Sequence, residues 1–217
     1  MIKNYLNPTV IAEWCLFVAG LLLLTKGTGP WRLFIIWFSL ILCTETFGWY
    51  QYDILKVKTN AGPFNILLLI RLSFLLWLFR QAPQMHSAKN ILGIFIAVFL
   101  CWGLINLFFF QKLHAYNYVT EILGNLLLAA ACGYLVYRII DDDNEQQSLF
   151  TQEYFWLAIG VLFSAMGSTV LYIFLEELQE YKNKTGIKVY GYINYTVNIL
   201  LYSCLLIAFI CRRKARS

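Results

Sequence analysis

Charge is scarce in this sequence: only 13% of its 217 residues are Asp, Glu, Lys or Arg, about half the ~25% of an average soluble domain. That deficit excludes a soluble globule. Histidine is scarcer still, with His86 and His114 in separate polar segments, which argues against a histidine metal site or a His-activated nucleophile. No GxSxG, HExxH, Gly-rich phosphate loop or DNA-binding signature occurs, so none of the chemistries that those motifs carry is indicated. Cys15, Cys43, Cys101, Cys132, Cys204 and Cys211 lie in or beside apolar runs without CxxC or paired spacing. They are expected to pack as small apolar residues, with no disulfide framework, metal or cofactor. Long polar segments are missing too, so a single domain over 1–217 with no soluble appendage is expected. The start of the chain lacks a small-residue cleavage site after its first apolar run, so that run is expected to be retained.

What the chain has instead is apolar runs of membrane length, at ~20 residues per crossing. Seven are visible, about 8–24, 31–52, 63–80, 91–110, 116–137, 154–175 and 192–211. The expected fold is all-α, a seven-span helical bundle in contact with lipid. Pro8 suits a helix start, and Pro30 and Pro83 mark breaks between runs. Aromatic residues gather at both ends of the second run (Trp31, Trp37, Trp49, Tyr50, Tyr52), as rings do at membrane interfaces. Gly160, Ser164 and Ser168 recur at steps of four on the sixth, a stripe that lets helices approach closely. The segment EELQEYKNKTGIKVYG reads as a polar loop, and Asp141 to Glu145 as a solvated acidic one.

The net charge of +5 is dispersed over the ends of the runs, a topology signal and not a nucleic-acid patch. Placing RRKARS in the cytoplasm puts the N-terminus outside. Arg32, Arg80, Arg138, Arg212, Arg213 and Arg216 then all fall on the inner side.

Arg71 breaks the pattern, because it sits near the middle of the third run. A charge there is costly and is normally turned toward a partner or water. Three acids are candidates: Glu13, Glu45 and Glu121. Counting ~1.5 Å per residue places Arg71 roughly 12 Å and Glu45 roughly 10 Å below the outer surface, on consecutive antiparallel spans. A bidentate Glu45–Arg71 pair is therefore the first expectation, serving either to lock two helices or to hold a ligand. Glu121 and Asn125 share one helix face, as do Asn194 and Asn198. Together with Asn65, Asn106, Ser168 and Tyr172 they form a polar layer in the outer half, read either as a ligand site or as interhelical hydrogen bonding. Three buried acids facing one base also imply that some acids hold a proton or meet a cation or an amine.

The ligand-binding candidates are thus Glu13, Glu45, Asn65, Arg71, Glu121, Asn125, Asn194 and Asn198. Three functions fit them. The first is an outward-facing pocket that senses a small molecule and signals through a separate cytoplasmic protein. A proton-coupled transporter with Glu13, Glu45 and Glu121 as coupling acids is the second, although no inverted repeat is apparent. An intramembrane lipid-modifying enzyme with a carboxylate base is the third. The late spans FWLAIGVLFSAMGSTVLYIF and INYTVNILLYSCLLIAF, with the glutamate-bearing second span, resemble those of small uncharacterised bacterial seven-span integral membrane proteins of this length. The resemblance implies a bacterial inner-membrane location and no assigned reaction.

Overall fold

The computed structural model describes residues 7–25, 29–57, 59–111, 115–141 and 148–215. The acidic run beyond Asp141, together with Lys58, Lys112, His114 and Arg216, lies outside them. Eight α-helices make up the described chain: α1 (Pro8–Leu24), α2 (Leu33–Trp49), α3 (Ala61–Arg80), α4 (Lys89–Ile105), α5 (Tyr118–Ile140), α6 (Glu153–Ile173), α7 (Leu175–Thr185) and α8 (Val189–Lys214). Among the described residues there is no strand. Helices α2 and α4 end in π-helical turns, Tyr50–Ile54 and Asn106–Phe110. Six helical segments, the counterparts of α2 to α6 and α8, are long and apolar enough to cross a membrane, so this is a multi-pass helical membrane protein. Helix α1, apolar throughout, has 17 residues, about 26 Å at 1.5 Å each, a little short of a ~30 Å hydrocarbon core.

Local chemistry fixes the helix ends. Asn7 accepts from the Val10 amide at 3.0 Å with Pro8 in the first turn of α1, and Asn117 accepts from the Thr120 amide at the start of α5. These caps satisfy amides that the first turn leaves without partners. Helix α7 occupies what reads in sequence as a polar loop. It carries Glu176 and Glu177 in its first turn, Lys182 and Lys184 in its last, and Gly186 at φ 74° just after it. Acids first, bases last and a left-handed glycine is the charge order and stop signal of a helix.

Helices α1, α2, α3, α5, α6 and α8 pack in a closed ring, each on the next and α8 back onto α1. Helix α4 stands outside the ring, against α3 and α5. The α6–α8 seam is close: a Cβ on Gly160 would lie 2.6 Å from Cys204 Cβ. The small-residue stripe of α6 is split, since Gly160 makes this close approach while Ser164 and Ser168 face an interior cavity.

One half of the ring is filled. Trp31, Phe34, Phe38 and Phe209 are fully buried there, with Phe34 and Phe209 centroids 5.2 Å apart and Trp37 stacked on Phe74 at 5.6 Å. At that end Arg212 pairs with Glu153 at 2.7 Å and lies 5.9 Å over the Trp31 ring. Chain alternation brings Arg32, Arg80 and Arg138 to the same end.

Candidate functional site

The other half of the ring is hollow. A cavity of about 640 Å³, within the ~300–1,000 Å³ of small-molecule sites, lies between the six ring helices. Its wall takes Thr9 and Glu13 from α1, Trp37, Ile41 and Glu45 from α2, Phe64, Leu68 and Arg71 from α3, and Glu121 from α5. Ser164, Ser168 and Tyr172 of α6 and Asn194, Asn198 and Tyr202 of α8 complete it. Helix α7 lies at the mouth, with Leu175, Leu178, Gln179 and Lys182, a single helical face, turned to the cavity. The aromatic layer under Trp37 forms the floor.

The expected Glu45–Arg71 pair does not form. Arg71 Nη2 donates to Glu121 Oε1 at 2.6 Å instead. The reason is the position of α4: with that helix outside the ring, α3 meets α5 directly, so the spatial neighbour is not only the sequential one. Helices α3 and α5 both start at the mouth, and Asn65 binding the Asn117 amide at 2.9 Å sets their register. Arg71 lies six residues beyond Asn65 and Glu121 four beyond Asn117. Because side chains lean toward the helix N-terminus, the long guanidinium reaches back up to the carboxylate. The Arg71 side chain is 35% exposed and Glu121 only 3%, and Arg71's open surface lines the cavity. Tyr116 donates to the second Glu121 oxygen, and its hydroxyl meets that of Tyr172 at 3.2 Å, with the rings stacked. Glu121 is therefore partnered at both oxygens.

Glu13 is not. It is 3% exposed; Oε1 accepts from Tyr202 at 2.7 Å, whereas Oε2 has no protein donor among the described residues. The Thr9 hydroxyl, one turn away on the same face, is also unpartnered. Glu45 is half-buried and makes no hydrogen bond or ion pair among the described residues. Glu13 and Glu45 lie close enough for their charges to interact.

Six of the eight sequence candidates meet at the cavity: Glu13, Glu45, Arg71, Glu121, Asn194 and Asn198. Asn65 does not. Both ends of its amide are used by the turn before α5, donating to the Ala115 carbonyl at 2.8 Å and accepting from the Asn117 amide. Asn106 likewise serves that turn, donating to Asn117 Oδ1 at 2.7 Å and Thr120 Oγ1 at 3.0 Å. Asn125, one turn below Glu121, faces a separate void of about 30 Å³, room for one water. On α8, Asn198 turns its amide to Asn194, donating to its carbonyl at 2.9 Å. Sequence reading missed Thr9, Trp37, Tyr116, Tyr202 and the α7 face. Thr9 was findable, lying four residues before Glu13 at helical spacing.

No protein-family model, curated protein or solved structure matches the chain. Function is therefore read from the geometry of the cavity.

Proposed function

We propose that this chain is a seven-span protein of a bacterial inner membrane that binds a small molecule in a pocket open to the outside and relays the bound state to a separate cytoplasmic protein. One observation carries the reading: a ligand-sized cavity, open at one end of the ring and floored by aromatic side chains, contains a buried carboxylate oxygen with no protein donor among the described residues. The aromatic floor closes the cup at its far end, so a ligand held in this conformation has no open path across the ring. The segments between helices are too short to fold as an output domain, and in this reading a second protein carries the relay. The arginine-rich end opposite the mouth is the surface for it.

Orientation is checked with a reporter active only in the cytoplasm fused at Ser217 and one active only outside inserted near Lys184. Both are expected to give signal, and a silent tail fusion with normal expression overturns the outward-facing pocket. Binding is checked by mass spectrometry of small molecules that copurify with the detergent-solubilised chain. A bound species is expected in the parent and lost in Ser168→Trp, which fills the cavity. Accumulation of that species inside proteoliposomes would replace binding by transport.

A further inference from the structure

The cavity's charges are unevenly placed: besides Glu121, the carboxylates of Glu13 and Glu45 line one side, while Arg71 lies on the α3–α5 side and Lys182 and Lys188 at the mouth. On the α3–α5 side Arg71 and Glu121 neutralise each other and Tyr116 occupies the remaining carboxylate oxygen. On the α1–α2 side three oxygen-bearing groups face the cavity with acceptor capacity unused: the Thr9 hydroxyl, Glu13 Oε2 and the Glu45 carboxylate. Tyr202 fixes the Glu13 carboxylate by one oxygen at 2.7 Å and leaves the other free. Glu13 and Glu45 lie within each other's field and both feel Arg71, yet Arg71 makes its ion pair with Glu121 and neither of the two carboxylates has an ion pair among the described residues, so a cation between them is favoured.

We propose, building on the pocket reading above, that the ligand is a small primary amine whose ammonium group docks between Glu13 and Glu45 with Thr9 as third acceptor. A primary ammonium presents three N–H donors around one charge, matching three acceptor groups. Among the described residues no group of three metal-ligating side chains exists, and the cavity volume of about 640 Å³ far exceeds a bare ion.

The test is isothermal titration of the full chain in detergent micelles with three probes of similar size: ethanolamine, ethylene glycol, which lacks the charge, and tetramethylammonium, which lacks the N–H donors. Saturable binding of ethanolamine alone is expected, weakened at least tenfold in Glu13→Gln and in Glu45→Gln and unchanged in Glu180→Gln, a control on the outside of α7 that pairs with Lys184. Melting curves for each variant accompany the titrations. Should Glu13→Gln fail to fold, Glu45→Gln at its half-exposed position carries the same comparison. Equal binding of ethylene glycol or of tetramethylammonium, or ethanolamine binding indifferent to both substitutions, overturns the amine while leaving the pocket reading intact. Absence of binding by all three probes to a folded parent also overturns the amine. A copurifying small molecule lost in Ser168→Trp would then still support the pocket.

Discussion

Glu121 and Glu13 are equally hidden carboxylates on opposite walls of one cavity, yet one is closed and the other is half open. Glu121 takes a guanidinium on one oxygen and a phenol on the other. Glu13 takes a phenol on one oxygen and has no donor among the described residues on the other. A buried charge that the fold has partnered is accounted for by the fold, while one left with spare capacity calls for a further partner.

The comparison breaks most visibly at Arg71. Removing it strands Glu121, and breaking one side of a buried pair costs ~3–5 kcal/mol. With Tyr116 still donating, Arg71→Ala is expected near the lower end, roughly 3 kcal/mol, in reversible unfolding from mixed detergent. Arg71→Leu with Glu121→Leu should be milder than either alone. Additive losses in that double variant would mean that the two side chains do not act as a pair. Tyr116→Phe removes a single donor from the same carboxylate and should cost about 1–2 kcal/mol. Tyr202→Phe, the mirror change on the Glu13 side, is expected at about 1 kcal/mol, and it should also weaken ligand binding, because Glu13 loses the bond that orients it. Smallest of all is Glu13→Gln, which exchanges an incompletely partnered charge for a neutral amide. Its stability should change least of these variants, since the neutral amide keeps the Tyr202 bond and is cheaper to bury than the charge, whereas binding falls at least tenfold. A Glu13→Gln penalty as large as that of Arg71→Ala would erase the distinction between the two walls.

Much of the architecture is legible in the run lengths alone. The helix limits observed for α3, α6 and α8 lie within three residues of the apolar runs in sequence, because a run of apolar side chains must be helical to satisfy its backbone in lipid. Helix α7 is illegible to that criterion, since it owes nothing to hydrophobic length. Its signals are Glu176 and Glu177 at one end, Lys182 and Lys184 at the other, and Gly186 as the stop. The depth of the polar layer was readable from ~1.5 Å per residue, which is why six of the candidates do converge. Which face each one presents was not. Asn65 has the right depth and turns to the α5 turn, not to the cavity. Arg71 has the right depth and reaches a helix two places along the chain. The Arg71 misreading comes from treating neighbours in sequence as neighbours in space, an assumption that a helix displaced from the ring defeats, whereas Asn65 was placed by depth, which does not give the face.

That displaced helix has a consequence for how the sequence can vary. Helix α4 contributes no side chain to the cavity. Its outward residues Ile91, Ile94 and Val98 are exposed, so they need only be apolar. Toward the ring it is held by two close approaches: Gly103 lies against Leu69 and Thr120, and Phe99 against Gly124 of α5. In related chains, substitutions should therefore accumulate on the outward face of α4 and stop at its inner seam. Wherever binding has changed between relatives, the differences should lie among the six wall helices and α7, with α4 serving as the background rate against which they are recognised.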